Sequence, residues 1–281
     1  MMKIAITGAK GTVGSAVVKY AASKGYKTVQ IDLTKFENDT TPNSETRVAD
    51  TAGDYDSVVA AFKGCDAIIH LAAIPNPMHH TDAVVHANNV NSAFNGFRAA
   101  GELGIKRYCY ASSVNAIGLS YSNQPRVFTH FPIDEEYSSS PTDSYALAKA
   151  ESELQARAFV NWYPGMKIAC MRFHEVATRE NVNKHHASDW EGAGVDQLWG
   201  WVRPEATARA CVAALEKWDN YEGMEVFNIH APTTAQDTPS EELAKKYYPN
   251  VPIKGDLSGN KGFWSTEKAK RILGWEHYEL E

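Results

Sequence analysis

The residues best suited to chemistry are a tyrosine and a lysine four positions apart. Tyr145 and Lys149 lie in a segment with helical spacing, which places both side chains on one face of a helix. A free phenol titrates at about pH 10, and a neighbouring ammonium is expected to lower the pKa of Tyr145 by about 2–3 units because it stabilises the phenolate. Tyr145 is therefore the predicted general acid or base for proton transfer at neutral pH.

Two adjacent serines stand at the end of a predicted strand, upstream of this helix. Ser112 and Ser113 directly follow the run 107–111. A serine at a strand end can hold a substrate oxygen by hydrogen bonding while charge develops on that oxygen. The serines and the Tyr145–Lys149 pair together predict a site where a nicotinamide carries the hydride and the protein moves the proton.

Three glycines open the first predicted helix and suit the binding of a pyrophosphate. Gly8, Gly11 and Gly14 follow the first strand with the spacing GxxGxxG. Glycine lets the backbone approach a ligand closely, and the free N–H groups of a helix start face its charge. Asp32 ends the second strand, where a carboxylate accepts hydrogen bonds from ribose hydroxyls and repels a 2′-phosphate. The sequence predicts NAD as the cofactor, with NADP left open by the nearby Lys35.

Strand-like and helix-like segments alternate along the first two thirds of the chain. Short apolar or β-branched runs lie at 3–7, 28–33, 47–49, 67–71, 107–111 and 167–173. Segments with helical spacing lie at 13–23, 55–62, 82–102 and 143–162. This alternation predicts an α/β fold, a doubly wound parallel sheet of the Rossmann type with helices on both faces. Ligands bind such sheets beyond the carboxyl ends of the strands.

The pattern changes after Phe173, and the rest of the chain suggests a small substrate lobe. A polar stretch precedes a helix at 205–218 and a strand at 226–230, which return to the sheet. We expect an NAD-binding Rossmann domain formed by residues 1–173 plus about 205–230. The substrate-binding lobe is expected to comprise residues 174–204 plus 231–281, with short helices at 240–247 and 266–273.

Composition argues against several kinds of partner. The 281 residues carry 28 Lys and Arg against 34 Asp and Glu, a net charge of −6 that offers no basic field for nucleic acid. No apolar run approaches the roughly 18 residues of a membrane helix, and no secretion signal is expected. The four cysteines lack CxxC spacing and are expected to be reduced packing residues in a cytoplasmic protein. The histidines lack metal-ligand spacing, so no metal site is predicted; His79, in a loop near the site, is a candidate substrate contact.

Several motifs occur in the order typical of extended short-chain dehydrogenases/reductases. They are TGAKGTVG at 7–14, Asp32, Asp50, HLAA at 70–73, the pair Asn88-Asn89, YASS at 110–113, PIDE at 132–135 and Tyr145…Lys149. The late segment 269–275 also resembles the C-terminal helix of that family. The chain therefore resembles the NAD-dependent epimerase/dehydratase group of the family from Lys3 to about Trp275.

The resemblance implies a role for each matching residue. It implies cofactor contacts from Gly8, Gly11, Thr12, Val13, Asp32, Asp50, Leu71, Ala72, Ala73, Asn88, Asn89, Tyr145, Lys149 and His174. Among these, Asp50 would meet the adenine, Asn88 or Asn89 the nicotinamide side, and Lys149 the nicotinamide ribose. The implied catalytic residues are Ser113, Tyr145 and Lys149, and the implied substrate contacts are Ser112, Ser113, Asn115 and Glu175.

The short second lobe favours a small substrate. It has no evident Arg and Lys cluster for a nucleoside diphosphate, and the compact build is most similar to uronate dehydrogenase-like members. Val114 stands where those proteins have asparagine, and Glu175 replaces a small hydroxyl residue. Glu175 would repel a substrate carboxylate unless Arg179 or Lys184 neutralises it. We expect NAD-dependent hydride transfer on a uronic acid, a free sugar or a related small compound.

Two other functions stay open. One is a nucleotide-sugar epimerase or dehydratase, and the other is a catalytically silent NAD-sensing protein, which the presence of Ser113, Tyr145 and Lys149 disfavours. Homodimerisation is also expected, because the helices at 82–102 and 143–162 pair between subunits in many relatives. An apolar face for it could come from Ala93, Phe94, Phe97, Ala150, Leu154 and Ala158, which could equally be core residues.

Overall fold

The computed structural model describes residues 1–37, 39–125, 127–185 and 190–278. Its strands are β1 (Lys3–Thr7), β2 (Lys27–Asp32), β3 (Ser44–Val48), β4 (Ala67–His70), β5 (Arg107–Ser113), β6 (Lys167–Phe173) and β7 (Met224–Ile229). Its helices are α1 (Thr12–Ser23), α2 (Tyr55–Phe62), α3 (Asp82–Glu102), α4 (Ser144–Trp162), α5 (Arg179–His185), α6 (Trp190–Ala193), α7 (Pro204–Glu216), α8 (Ser240–Tyr247) and α9 (Glu267–Leu273). The sequence predicted no helix where α5 and α6 lie.

The described strands form one parallel sheet in the order β3-β2-β1-β4-β5-β6-β7. The chain runs from β1 outward to β3, returns to pair β4 with β1, and then continues to the opposite edge. The predicted doubly wound α/β fold is confirmed. Because the strand order reverses between β1 and β4, a crevice for ligands is expected at their carboxyl ends.

Both faces of the sheet are covered, since alternate residues of each strand point to opposite sides. In β1, Ile4 and Ile6 pack in a cluster with residues of α1 and α7, whereas Ala5 packs with residues of α2, α3 and α4. All three side chains are fully buried. Two-sided burial explains the continuous apolar runs of the strands, and it holds α4, the helix of Tyr145 and Lys149, firmly against the sheet.

A third cluster forms the core of the small lobe. It brings Phe131 together with Trp199 and Phe263, which come from distant parts of the sequence. Backbone hydrogen bonds join the same segments, from the Phe131 N–H to the Pro252 oxygen at 3.0 Å and from the Ile133 N–H to the Phe263 oxygen at 2.8 Å. The loop after β5, which the sequence assigned to the Rossmann domain, therefore packs with the lobe; the division into two domains stays a prediction.

The four cysteines are buried and carry free thiols, as the predicted packing role requires. No helix within the described ranges is long and apolar enough to cross a membrane. The same ranges contain no group of three or more His, Cys, Asp or Glu side chains arranged to hold a metal ion.

Candidate active site

A cleft of about 980 Å³ opens at the carboxyl end of the sheet. It extends from the glycine loop between β1 and α1 to the loop after β6. Most of the residues singled out in the sequence line it: Gly8, Gly11, Thr12, Val13, Asp32, Leu71, Ala72, Ala73, Ser112, Ser113, Asn115, Tyr145, Lys149, His174 and Glu175. The switch point of the sheet thus brings together groups that the chain keeps up to 167 positions apart, from Gly8 to Glu175.

The glycine loop leaves no room for side chains at its closest approaches. Gly8 has a φ of +63°, and a Cβ on it would lie 3.0 Å from the backbone nitrogen of Ala72. A Cβ on Gly14 would lie 2.1 Å from the Gly8 oxygen. The hydroxyl of Thr7 accepts hydrogen bonds from the N–H groups of Leu71 and Ala72, at 3.0 and 3.1 Å, and so joins the ends of β1 and β4. This tight, backbone-lined cradle fits the pyrophosphate of a dinucleotide.

Asp32 is fixed at the edge of the same cleft. Its carboxylate accepts hydrogen bonds from the N–H groups of Lys10 and Leu33, both at 2.9 Å. The Lys10 ammonium donates hydrogen bonds to the Thr34 hydroxyl at 2.5 Å and to the Lys35 carbonyl at 2.8 Å. A carboxylate held at the end of β2 suits the ribose hydroxyls of NAD and disfavours a 2′-phosphate.

A smaller cavity of about 160 Å³ continues the cleft past Asp32, and Asp50 and Asn88 line it. Asp50 also caps its own turn by accepting from the Ala52 and Gly53 N–H groups at 3.0 Å each. Asn88 therefore shares a cavity with Asp50, and its predicted contact on the nicotinamide side stays a prediction.

Asn89 braces the loop after β4. It is 1% exposed, and its amide exchanges two hydrogen bonds with the backbone of Ile74, at 2.8 and 2.9 Å. With both ends of its amide engaged, Asn89 shapes the cleft wall through the loop. Its predicted cofactor contact stays a prediction.

Ser113, Tyr145 and Lys149 meet at the centre of the cleft. The Ser113 hydroxyl is hydrogen-bonded to the Tyr145 phenol, and the Lys149 ammonium lies 5.8 Å from the centroid of the Tyr145 ring. Lys149 also donates to the carbonyl of Ala111 at 2.5 Å. Asp143 fixes the start of α4 because its carboxylate accepts from the Ala146 N–H at 2.8 Å, which sets where the tyrosine and lysine face the strand end.

The prediction that Lys149 lowers the pKa of Tyr145 is wrong when only the residues of the protein are considered. Burial raises the pKa of Tyr145, and the hydrogen bond with Ser113 only partly opposes this effect. Burial instead lowers the pKa of Lys149 from 10.5 to about 8, against the attraction of the Glu153 carboxylate. Desolvation therefore outweighs the effect of the local charges at both groups.

Ser112 and Asn115 line the cleft but are engaged in the protein. The Ser112 hydroxyl donates to the Glu153 carboxylate at 2.6 Å. The Asn115 side-chain oxygen accepts from the Ser120 N–H at 2.9 Å, while its backbone N–H donates to the Ser113 hydroxyl at 3.1 Å. Both residues thus hold Ser113 and its loop in shape, and their predicted substrate contacts stay predictions.

The far end of the cleft is formed by the loop after β6. Burial lowers the pKa of His174 to about 4, and its ring joins the Glu175 N–H and the Gln197 carbonyl through 2.7 Å hydrogen bonds. The Glu175 carboxylate lines the cleft and contacts the His185 ring nitrogen at 3.0 Å. Neither cation considered from the sequence does so: Arg179 pairs with Asp237 and Lys184 with Glu180.

Comparison with known proteins identifies the family of the chain. The model of the NAD-dependent epimerase/dehydratase family matches residues 4–229, most of the chain. The chain belongs to this family. The match covers every strand of the sheet, the glycine loop and the Tyr145–Lys149 pair, and it establishes NAD as the cofactor of this extended short-chain dehydrogenase/reductase.

Individual relatives match over part of their length. An NAD-dependent glucose-6-phosphate dehydrogenase of Haloferax volcanii is 30% identical over 166 residues, which are 56% of this chain and 62% of that protein. A uronate dehydrogenase of Pseudomonas putida is 28% identical over 172 residues, 60% of this chain and 59% of that protein. The chain thus spans less than two thirds of the length of either relative.

A solved structure shows the shared fold over nearly the whole chain. A short-chain dehydrogenase/reductase superfamily protein from Agrobacterium tumefaciens with bound NAD superposes with a TM-score of 0.71 at 20% identity. The superposition covers 98% of this chain and 92% of that chain. At 20% identity, the superposition shows only that the two proteins share a fold.

Several residues that line the cleft were not identified from the sequence. Tyr121 stands edge-on to Tyr145, with ring centroids 6.0 Å apart, and Met78 and Gln197 also line the cleft. His79, by contrast, is exposed and is not among the described lining residues. The neighbouring Pro75 and Met78 face the cleft in its place, which only the path of the loop after β4 could reveal.

Proposed function

We propose that the protein is an NAD-dependent dehydrogenase that oxidises a small polyhydroxylated compound, such as a free sugar or a uronic acid. The supporting observation is that Ser113, Tyr145 and Lys149 meet in one cleft with the glycine loop and Asp32. These residues would hold a dinucleotide along the cleft, and its nicotinamide would then supply the hydride acceptor for the site. Two of the relatives that match this chain are named as dehydrogenases of a sugar derivative, which supports the same reaction class.

The chain's own residues account for the proton side of an alcohol oxidation. When bound, NAD⁺ supplies the ring that accepts the hydride with its electron pair. The Ser113 hydroxyl holds the substrate oxygen, and the Tyr145 phenolate takes the proton from the substrate hydroxyl as the carbon becomes a carbonyl. The Lys149 ammonium, anchored on the Ala111 carbonyl, stabilises that phenolate.

The substrate end of the cleft favours an uncharged sugar over a sugar acid or phosphate. The described lining residues include two lysines, Lys10 and Lys149. The Lys10 ammonium is hydrogen-bonded to Thr34 after β2, and Lys149 lies beside Tyr145. Glu175 faces the far end, and carboxylates accept hydrogen bonds well from sugar hydroxyls. The Glu175 carboxylate would repel a substrate anion placed directly beside it.

The test is a rate measurement with matched substrates. Purified protein and NAD⁺ are mixed with an aldose, its uronic acid and its 6-phosphate in turn, and NADH absorbance is followed. We expect turnover of at least one of the first two, with the aldose preferred. Absence of NADH formation with every compound, together with interconversion of a nucleotide sugar without net NADH, would instead support an epimerase.

The same measurement decides whether the protein is catalytically silent. A silent NAD-sensing protein would bind NAD⁺ but act on neither the free sugars nor the nucleotide sugars. The buried free thiols support placement in a reducing compartment such as the cytoplasm, which we propose as its location.

A further inference from the structure

The inner face of α4 carries a third polar residue in line with the catalytic pair. Glu153 follows Tyr145 and Lys149 at the same four-residue interval, so the three side chains share one helix face directed at the sheet. Glu153 is only 8% exposed. In sequence a glutamate at this position suggests a solvated face, and its burial requires partners.

The hydrogen-bond partners of Glu153 lie on two strands, β5 and β6. One carboxylate oxygen accepts from the Ser112 hydroxyl of β5 at 2.6 Å and from the Arg172 Nε of β6 at 2.9 Å. The other accepts from the Arg172 Nη2 at 2.7 Å. Arg172 is itself 4% exposed and also donates to the Glu135 carbonyl at 3.4 Å. The carboxylate thus ties α4 to the ends of β5 and β6 in a fully engaged buried ion pair.

With this contact, three successive turns of α4 are each hydrogen-bonded to one of the last three residues of β5. Lys149 donates to the carbonyl of Ala111, Glu153 accepts from the hydroxyl of Ser112, and Tyr145 bonds with the next residue, Ser113. Sliding or tilting the helix would break the buried Glu153–Arg172 pair, which is costly when one partner is left alone. The position of the phenol against the substrate oxygen is therefore fixed partly from outside the cleft.

Glu153 also supplies a negative charge that acts on the buried ammonium of Lys149. Burial lowers the pKa of Lys149 to about 8, and the Glu153 carboxylate acts against that effect. The titratable and charged groups that face Lys149 are Glu153 and Tyr145 on α4, His70 on β4, Tyr110 on β5 and Cys170 on β6, with Arg172 behind Glu153. Of these, Glu153 is the carboxylate.

We propose that Glu153 is a positioning residue for proton transfer, holding the Tyr145–Lys149 pair in register with Ser113 and keeping Lys149 in its ammonium form. This inference rests on the proposed function, since it assigns a task within the same reaction. When the pair has lost one proton, the charge-separated form with phenolate and ammonium is the active one. Removing the Glu153 charge favours the inactive form with neutral phenol and neutral amine.

The test compares three variants. Glu153→Gln keeps the size of the side chain and removes its charge. Glu153→Gln combined with Arg172→Met removes both members of the ion pair, so that no charge is buried alone if the single variant fails to fold. Glu151→Gln is the matched control, because that carboxylate lies two residues away on the same helix but pairs with His86 at the surface.

The readouts are the pH profile of kcat/KM for oxidation and the pH dependence of NAD⁺ affinity, measured by tryptophan fluorescence. In Glu153→Gln we expect the inflection to move down by about one pH unit and the alkaline plateau of kcat/KM to fall about tenfold. The double variant should shift in the same direction but by less, because it also removes the positive charge of Arg172. Glu151→Gln should match the unaltered protein. A merely structural role would lower thermal stability without moving the inflection.

The outcomes separate this inference from the proposed function. If no sugar is oxidised by the unaltered protein, the proposed function fails, but the shift in the pH dependence of NAD⁺ affinity still tests Glu153. If the folded Glu153 variants keep the inflection and plateau of the unaltered protein, the positioning role is wrong. It is equally wrong if Glu151→Gln produces the same shift.

Discussion

Tyr145 and Lys149 are buried together, and we expect the loss of a proton from this pair to set the pH dependence of the proposed oxidation. Burial lowers the pKa of Lys149 to about 8 and raises that of Tyr145. Below about pH 8 the pair carries its full proton complement and cannot take another from a substrate hydroxyl. We expect kcat/KM for oxidation to rise with pH, about tenfold per unit, and to level off above about pH 8. Initial rates across that range check this, and a flat profile would contradict it.

A second prediction at the residue scale concerns the phenol itself. Tyr145→Phe removes the hydroxyl but keeps the ring that packs against Tyr121. We expect kcat to fall by about 10²–10⁴-fold, the usual contribution of a positioned acid or base. NAD⁺ affinity, measured by fluorescence, should change little because the glycine loop and Asp32 are untouched. Undiminished turnover would remove Tyr145 from its assigned role.

The polar partners of these residues show what sequence could and could not predict. Type and spacing predicted the Tyr145–Lys149 pair and a strand-end serine, because helix periodicity and strand ends are local features, and the family resemblance pointed to Ser113. The pairing of Glu153 with Ser112 and Arg172 was missed, since it joins three elements distant in sequence. The raised pKa of Tyr145 was missed for a related reason: the degree of burial depends on tertiary packing.

At the scale of the element, the turn from β1 into α1 depends on close backbone contact. Gly14→Ala would place a methyl carbon 2.1 Å from the Gly8 oxygen, so the loop must move. We expect a loss of about 1–3 kcal/mol in the free energy of unfolding, together with weaker NAD⁺ binding. Denaturant unfolding and fluorescence titration measure the two effects.

The matched control for this change is Gly262→Ala. A methyl carbon there would have its nearest contact at 3.4 Å, an ordinary van der Waals distance. This variant should unfold and bind NAD⁺ like the unaltered protein. Equal behaviour of the two variants would mean that the tight approach in the glycine loop is not important for cofactor binding.

Element boundaries were predictable where a strong periodic pattern is present. The predicted helix at 82–102 agrees with α3, and the predicted strand at 3–7 agrees with β1. The predicted strand at 47–49 captured only the end of β3, because this edge strand is mostly exposed and carries no continuous apolar run. Helix α5 was missed because its seven residues are largely polar.

For the whole molecule, the outer faces of α3 and α4 leave apolar side chains in solvent. Phe94 is 39% exposed, Leu154 67% and Trp162 55%, whereas Ala93 and Phe97, candidates for the same face, are completely buried in the core. We propose that this surface pairs two copies of the chain. Exposed apolar groups on neighbouring helices provide the self-complementary patch that a two-fold dimer requires.

Leu154→Glu tests that assembly. A charge at this 67% exposed position should convert a dimer to a monomer, with at least a tenfold weaker association, or about 1.4 kcal/mol. Sedimentation velocity measures the change. Val127→Glu, at an 85% exposed valine outside these helices, is the control and should leave assembly unaltered. A monomeric unaltered protein would contradict the proposal.

The small lobe has a consequence for how this protein acquires new specificities. Its core residues Phe131, Trp199 and Phe263 lie in the segments that follow β5, β6 and β7, respectively. Changes in the length or sequence of these segments can therefore alter which substrate is bound. The strands and α4 need not change, so the arrangement of Ser113, Tyr145 and Lys149 can be kept while the bound substrate differs.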